Sequence, residues 1–142
     1  KFPINKSQVL HAILENKTNL KKIIRVVHIE VRKRMKSFIL KNKSKKLIIL
    51  DIPLLLENKI NKKNFILVFV QSKKFEITKR LKKRKNYNQK FLKKFKKIQL
   101  PLDYKKKRSQ FIIRNNFTKK SVKRSIKKIL NKILNERNST RY

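Results

Sequence analysis

The sequence predicts an α/β domain, a parallel sheet flanked by helices, and three observations predict it. Leu47-Ile48-Ile49-Leu50-Asp51 is an uninterrupted apolar run ending in an acid, the pattern of a strand buried on both faces of a parallel sheet. Phe65 to Val70 repeats that signature, and Phe111-Ile112-Ile113 gives a third, shorter run. The stretches around these runs carry apolar residues at helical rather than alternating spacing.

In order, Asn5 or Ser7 can cap a short helix with Val9, Leu10, Ile13 and Leu14 on one face, ending near Asn16. Thr18 opens a longer helix to about Leu40, with a stripe of Leu20, Ile23, Ile24, Val27, Val31, Met35, Phe38 and Ile39. By spacing, His28 lies beside that stripe with Arg32 one turn beyond, and His11 reads as a surface residue because no second ligand stands at metal spacing. After the Lys-rich loop 41–46 comes the first strand, then a turn at Pro53 and Glu57-Asn58. The segment 52–64 is short for a full crossover helix, so it carries a short helix or steps across the sheet. Ser72 or Lys73 begins a third helix with Ile77 and Leu81 inward, and Glu76, Arg80 and Arg84 share a face at i, i+4, i+8. A helix over about 88–97 buries Phe91, Phe95 and Ile98, and Gln99-Leu100-Pro101-Leu102 leads to the third strand, closed by Arg114-Asn115-Asn116. Thr118 caps a last helix with Val122, Ile126, Ile129, Leu130, Ile133 and Leu134 inward, and the tail from Asn138 to Tyr142 is expected to fray.

Length bounds the rest. With 142 residues, 39% of them hydrophobic, one domain with a modest core is expected. The sequence has no cysteine, no apolar leader and no run of eighteen apolar residues, so disulfides, secretion and membrane insertion find no support and a cytoplasmic location is expected. The 44 Lys and Arg against 7 Asp and Glu give a formal charge of +37, which attracts phosphate polymers. The same chain is rich in Ile, Asn and Phe, with Ala12 as its one alanine and no glycine, the skew of A/T-biased coding that fills surfaces with lysine. Aromatic residues are not interleaved with the basic ones as a stacking platform requires. Nonspecific polyanion attraction is therefore expected as a by-product, and a basic nucleic-acid-binding protein without enzymatic activity is the rival reading. Without glycine, neither G-x-x-x-x-G-K-[ST] nor G-x-G-x-x-G can be written within these residues. Lys1 and Phe2-Pro3-Ile4 read as an interior point of a longer chain.

Ligands of open α/β sheets collect beyond the carboxyl ends of the strands, which places a site near Asp51 and the Ile52-Pro53-Leu54-Leu55 that follows. Arg80 and Arg84 are either solvated partners of Glu76 or an anion clamp, since guanidinium forks recur over transferring phosphates.

Taken together, the ordered set resembles the dephospho-coenzyme A kinase family over nearly the whole chain. Asp51-Ile52-Pro53-Leu54-Leu55-Leu56-Glu57 is similar to that family's D-x-P-L-L-x-E segment. The segment from Glu76 to Lys85 resembles its lid helix Q-x-x-R-x-x-x-R-D, with both arginines kept and Glu76 and Lys85 in place of Gln and Asp. Gln99-Leu100-Pro101-Leu102 with Lys105 resembles Q-x-P-x-x-x-K, and Ser109-Gln110-Phe111-Ile112-Ile113-Arg114-Asn115 stands where A-D-x-V-I-x-N is usual. Val27-His28-Ile29 resembles a His-Pro element, with Ile29 for Pro.

The resemblance implies a P-loop NTPase-like fold of the nucleoside-monophosphate-kinase kind, with a lid-like helical segment over about 73–108. It also implies transfer of the ATP γ-phosphoryl group to the ribose 3′-hydroxyl of dephospho-coenzyme A with Mg²⁺, by a monomer. By carry-over, His28, Pro53, Leu54 and Leu55 border the acceptor, Arg80 and Arg84 close over the ATP phosphates, and Asn115 lies near the adenine. The family's first strands, its phosphate loop and its acidic base have no counterpart in these residues, so the chain is expected to be an incomplete copy with no catalytic base or metal ligand to name. Leu47 to Asp51 and Phe65 to Val70 would then each lack the strand that belongs between them.

Overall fold

A computed structural model describes residues 3, 5–85 and 87–139. Lys1, Phe2, Ile4 and the last three residues of the tail lie outside them. In chain order the elements are α1 (Lys6–Glu15), α2 (Lys17–Lys41), β1 (Val68–Gln71), α3 (Lys74–Lys82), α4 (Gln89–Ile98), α5 (Leu102–Lys107), β2 (Phe111–Arg114) and α6 (Lys119–Ser139). They gather into two compact units, Lys1–Asn61 with Asn88–Gln99, and Lys62–Tyr87 with Leu100–Tyr142. No helix among the described residues is long and apolar enough to cross a membrane.

The first unit is helical. Asn5 Oδ1 accepts the Ser7 N–H at 2.9 Å and Asn16 Oδ1 the Thr18 N–H at 2.8 Å, so each of the first two helices starts on an Asn cap that satisfies an orphan donor. Asn88 does the same for α4 through the Phe91 N–H. Helix α1 packs on α2 and α4, and Lys94 Nζ donates to the carbonyls of Ile13, at 2.8 Å, and Leu14. That ammonium meets the negative end of α1, where a cation is favoured. Ile13, Leu20, Met35 and Ile60 form the buried apolar core of this unit.

Two expectations fail on α2. Val27 and Phe38, read as part of its stripe, are exposed, whereas the buried line of α2 runs through Leu20, His28 and Met35, three positions spread over about 80° of a 3.6-residue helix. A histidine therefore occupies a core position that apolar periodicity cannot reveal.

The expected strand Leu47 to Asp51 is a further correction. It belongs to no strand ladder, and Ile49 is 77% exposed. Parallel strands are held by hydrogen bonds to a neighbour, and no described strand pairs with this run. Residues 53–59 then form turns rather than a crossover helix. Asn58 N–H donates to Leu54 O at 3.1 Å and Ile60 N–H to Leu55 O at 3.0 Å, with Leu54 at φ 55 and Lys59 at φ 50.

The second unit carries the sheet. β1 and β2 pair in parallel, Val68 opposite Phe111 through Gln71 opposite Arg114, as parallel strands were expected to. Gln110 extends the pairing at one end: Leu67 N–H donates to its Oε1 at 2.7 Å, and its own N–H donates to Leu67 O at 3.0 Å. Asn115 N–H extends it at the other by donating to Gln71 O at 2.7 Å. The strands are not buried on both faces: Val68, Val70 and Ile112 are exposed. Helix α6 packs on β2 with Ile133 buried, while Ile126 and Leu134 are exposed against expectation. Thr118 carbonyl receives the Val122 N–H, but its hydroxyl donates back to Asn116 Oδ1 at 2.9 Å. Ile77 of α3, expected inward, is exposed. Six-residue α5 is an element the sequence reading omits; Pro101 stands at its N-cap without a side-chain cap bond, and Asp103 lies in its first turn, where an acid is favourable.

Candidate functional site

Within the first unit, α2 and the 53–59 turns border an open cavity of about 440 Å³, the size of small-molecule sites. Lys21, Arg25, His28 and Arg32 reach it from α2, at spacings of four, three and four that place them on one face. Leu54, Glu57 and Asn58 reach it from the turns, and Ile98 of α4 completes the wall with Ile24 and Ile29. Three cations against the single carboxylate of Glu57 give it a net positive lining, which attracts anions.

The turn is tied to the helix by Asn58. Arg32 Nη2 donates to the Asn58 carbonyl at 2.7 Å. Asn58 Nδ2 donates to Leu54 O at 2.9 Å and lies 3.1 Å from His28 Nε2. His28 is 6% exposed, and its Nδ1 is buried without a hydrogen-bond partner. Burial pushes the His28 pKa down, the Arg32 guanidinium pushes it further, and Glu57 opposes both.

Of the residues expected to border the acceptor, His28 and Leu54 line this one cavity. Pro53 is exposed and outside the wall, and half-buried Leu55 spends its carbonyl on Ile60. Asp51 is exposed and also outside it. Lys21, Arg25 and Asn58 were not anticipated. The 21-25-28-32 spacing was a legible signal, whereas Asn58 acts through backbone geometry that no motif displays.

In the second unit the two arginines part company. Helix α3 ends at Lys82, and Arg84 N–H closes a turn on Leu81 O at 3.1 Å. The expected i, i+4, i+8 face is therefore cut after Arg80, because the chain leaves helical geometry before Arg84 is reached. Arg80 lies over the Phe117 ring, its Cζ 3.8 Å from the centroid, a cation–π contact. Phe117 stands at φ 62 and donates its N–H to Asn115 Oδ1 at 2.8 Å. The structure thus joins Arg80 to Asn115 through a phenylalanine that sequence reasoning missed, and leaves Arg84 exposed nearby in sequence only. Among the described residues no group of three or more His, Asp or Glu side chains could hold a metal ion.

Comparison with known proteins bears on this geometry. A model of the family described as dephospho-CoA kinase matches residues 4–121. A dephospho-CoA kinase of Wolbachia pipientis wMel is 35% identical over 106 residues, 73% of this chain and 54% of that protein. One from Wolbachia sp. subsp. Brugia malayi (strain TRS) is 30% identical over 121 residues, 84% of this chain and 62% of that protein. The chain therefore spans little more than half the length of these relatives.

Proposed function

The chain belongs to the dephospho-CoA kinase family, and from that premise we propose that it serves the ATP-dependent phosphorylation of the ribose 3′-hydroxyl of dephospho-coenzyme A, in the cytoplasm. The observation that carries the reading is the cationic cavity of the first unit. His28 and Leu54, 26 positions apart, line it together with Lys21, Arg25 and Arg32, and the acceptor is a phosphate-bearing molecule that such a wall attracts.

In this reading the cavity holds the acceptor, and Arg80 and Arg84 neutralise ATP phosphates. Asn115, fixed beside Phe117, borders the adenine. The acceptor oxygen forms a bond to the γ-phosphorus, the bond from that phosphorus to the bridging oxygen breaks, and ADP departs. The hydroxyl proton passes to a base that these 142 residues are not assigned. Mg²⁺ would arrive with the ATP phosphates. With no glycine among its residues, this stretch cannot form the backbone cradle around the phosphates. We propose that the cradle is supplied from outside it and that the 142 residues alone do not transfer phosphoryl groups.

Calorimetry with dephospho-coenzyme A tests the reading on the chain as it stands. Binding is expected, weakened about tenfold or more by Arg32→Ala, which removes a charge-assisted partner. Absence of binding, with sequence-selective nucleic-acid binding that survives about 0.2 M salt, would favour the basic nucleic-acid-binding protein instead.

A further inference from the structure

The orphaned ring nitrogen of His28 has a cause that can be traced bond by bond. Asn58 Nδ2 carries two hydrogens. One is donated to Leu54 O at 2.9 Å, so the amide is oriented with nitrogen, not oxygen, toward the turn. Rotating it would set Oδ1 against that carbonyl, two acceptors facing each other. The second hydrogen meets His28 Nε2 at 3.1 Å, which must then be the acceptor nitrogen of the ring. A neutral imidazole accepting at Nε2 carries its proton on Nδ1. That N–H is the one left buried and unpaired.

A buried donor without a partner is costly, and native folds keep few of them. Here the ring lines a cavity whose other groups are Lys21, Arg25 and Arg32, with Glu57 the opposing charge. Ile98 is the contribution of α4 and brings no charge. The ring that carries this donor and the three cations line one cavity, so the partner common to all of them is an anionic oxygen.

We propose that Asn58 is a positioning residue for this cavity: its amide, oriented by the Leu54 carbonyl, locks His28 in the tautomer with its proton on Nδ1 and so reserves a buried N–H donor for a phosphate oxygen of the bound acceptor. The ligand half of this inference rests on the functional reading above; the lock itself does not. The lock also accounts for the left-handed Leu54 at φ 55. That conformation is disfavoured for a residue with a Cβ, and it is held by the two hydrogen bonds that the Leu54 carbonyl receives from the N–H and the amide of Asn58.

The test uses the 142-residue chain and ¹⁵N-resolved NMR of its two histidine rings, His11 being exposed and bonded to Glu15. In the unmodified chain His28 is expected to show a protonated Nδ1 and an unprotonated Nε2. Asn58→Ala, which keeps the backbone carbonyl that Arg32 uses, is expected to give a mixture of tautomers, and to weaken dephospho-coenzyme A about tenfold. On titration with dephospho-coenzyme A, the His28 Nδ1 proton is expected to move downfield as it gains an oxygen partner. A ring that carries its proton on Nε2 in the unmodified chain would overturn the lock, whatever Asn58→Ala does to folding. Dephospho-coenzyme A that shifts Arg32 and Leu54 while leaving the Nδ1 proton unmoved would overturn the reserved donor. No shift anywhere on adding dephospho-coenzyme A would overturn the functional reading, and with it the donor's ligand, while the tautomer still decides the lock.

Discussion

The cavity of the first unit and the arginine region of the second differ in how they are held. Around His28, Asn58 and Arg32 the contacts join residues 26 to 30 positions apart through backbone carbonyls and a buried ring. Around Arg80 the tie is a guanidinium resting on Phe117, with both Arg80 and Arg84 exposed. Long-range bonds to fixed carbonyls give one geometry before any ligand arrives, which lowers the ordering cost of binding. An exposed cation–π contact is worth about 0.5–1 kcal/mol, so Arg80 can exchange the ring for phosphate at little cost. The first region is built in advance, and the second is left adaptable.

The largest effects are expected where that difference meets the chemistry. In an enzyme that contains this chain and turns over, Arg80→Ala and Arg84→Ala should each lower kcat/KM by about tenfold to a hundredfold, and Lys83→Ala by less than about twofold. A guanidinium fork on a phosphate is lost in the first two and a solvated ammonium in the third. Unfolding midpoints should hardly move in any of them. Steady-state kinetics with urea titration decides the matter: equal effects at Arg84 and Lys83 return the arginines to solvated surface residues, and a large loss of stability in Arg80→Ala erases the contrast between the regions.

That contrast also divides what the sequence discloses. Asn5 and Asn88 are legible as helix starts because capping is local chemistry, and both caps form; the second helix starts on Asn16, which accepts the N–H of Thr18, rather than on the expected Thr18. The parallel pairing of the Phe65 and Phe111 runs follows from apolar runs separated by helices, and it forms with β1 beginning at Val68. Leu47 to Asp51 has equally good strand chemistry but lies in no ladder, since a strand needs a partner and partner choice is not local. His28 was placed beside the stripe because a histidine does not count toward apolar periodicity, yet it lies on the buried line. Asn58 is legible in the sequence only as part of a turn with Glu57; its tie to His28 is set by a carbonyl at φ 55 that only the folded turn presents. Phe117 is similar, a left-handed phenylalanine under Arg80 with no signal in its neighbours.

A smaller effect should separate the regions by pH. His28 has its folded pKa lowered from the ordinary 6.5. Above that value the ring is neutral in both states and its stabilising contribution is complete. As pH falls through it, the unfolded chain takes up a proton that the buried ring resists, so stability declines until the folded pKa is reached. Urea midpoints between about pH 7 and about pH 5 should therefore fall more steeply for the unmodified chain than for His28→Gln, which cannot titrate. Identical slopes would mean that the cavity does not hold His28 apart from solvent, and the region would be no better built than the other.

The smallest expected effect uses the same backbone conformation in three settings. Leu54, Lys59 and Phe117 all have φ between 50 and 62, where a side chain costs roughly 1–2 kcal/mol and glycine costs none, though glycine gives back about 0.5–1 kcal/mol in unfolded-state entropy. Lys59 is exposed and lies outside the wall of this cavity, so Lys59→Gly should stabilise by about 0.5 kcal/mol. Leu54→Gly relieves the same strain but strips a wall of the cavity, and Phe117→Gly relieves it but removes the ring under Arg80. Neither should stabilise. Urea titration of the three variants reads the outcome directly. If Leu54→Gly gains as much as Lys59→Gly, the Leu54 side chain contributes nothing to the cavity, and the first region owes its order to the backbone bonds of Asn58 alone.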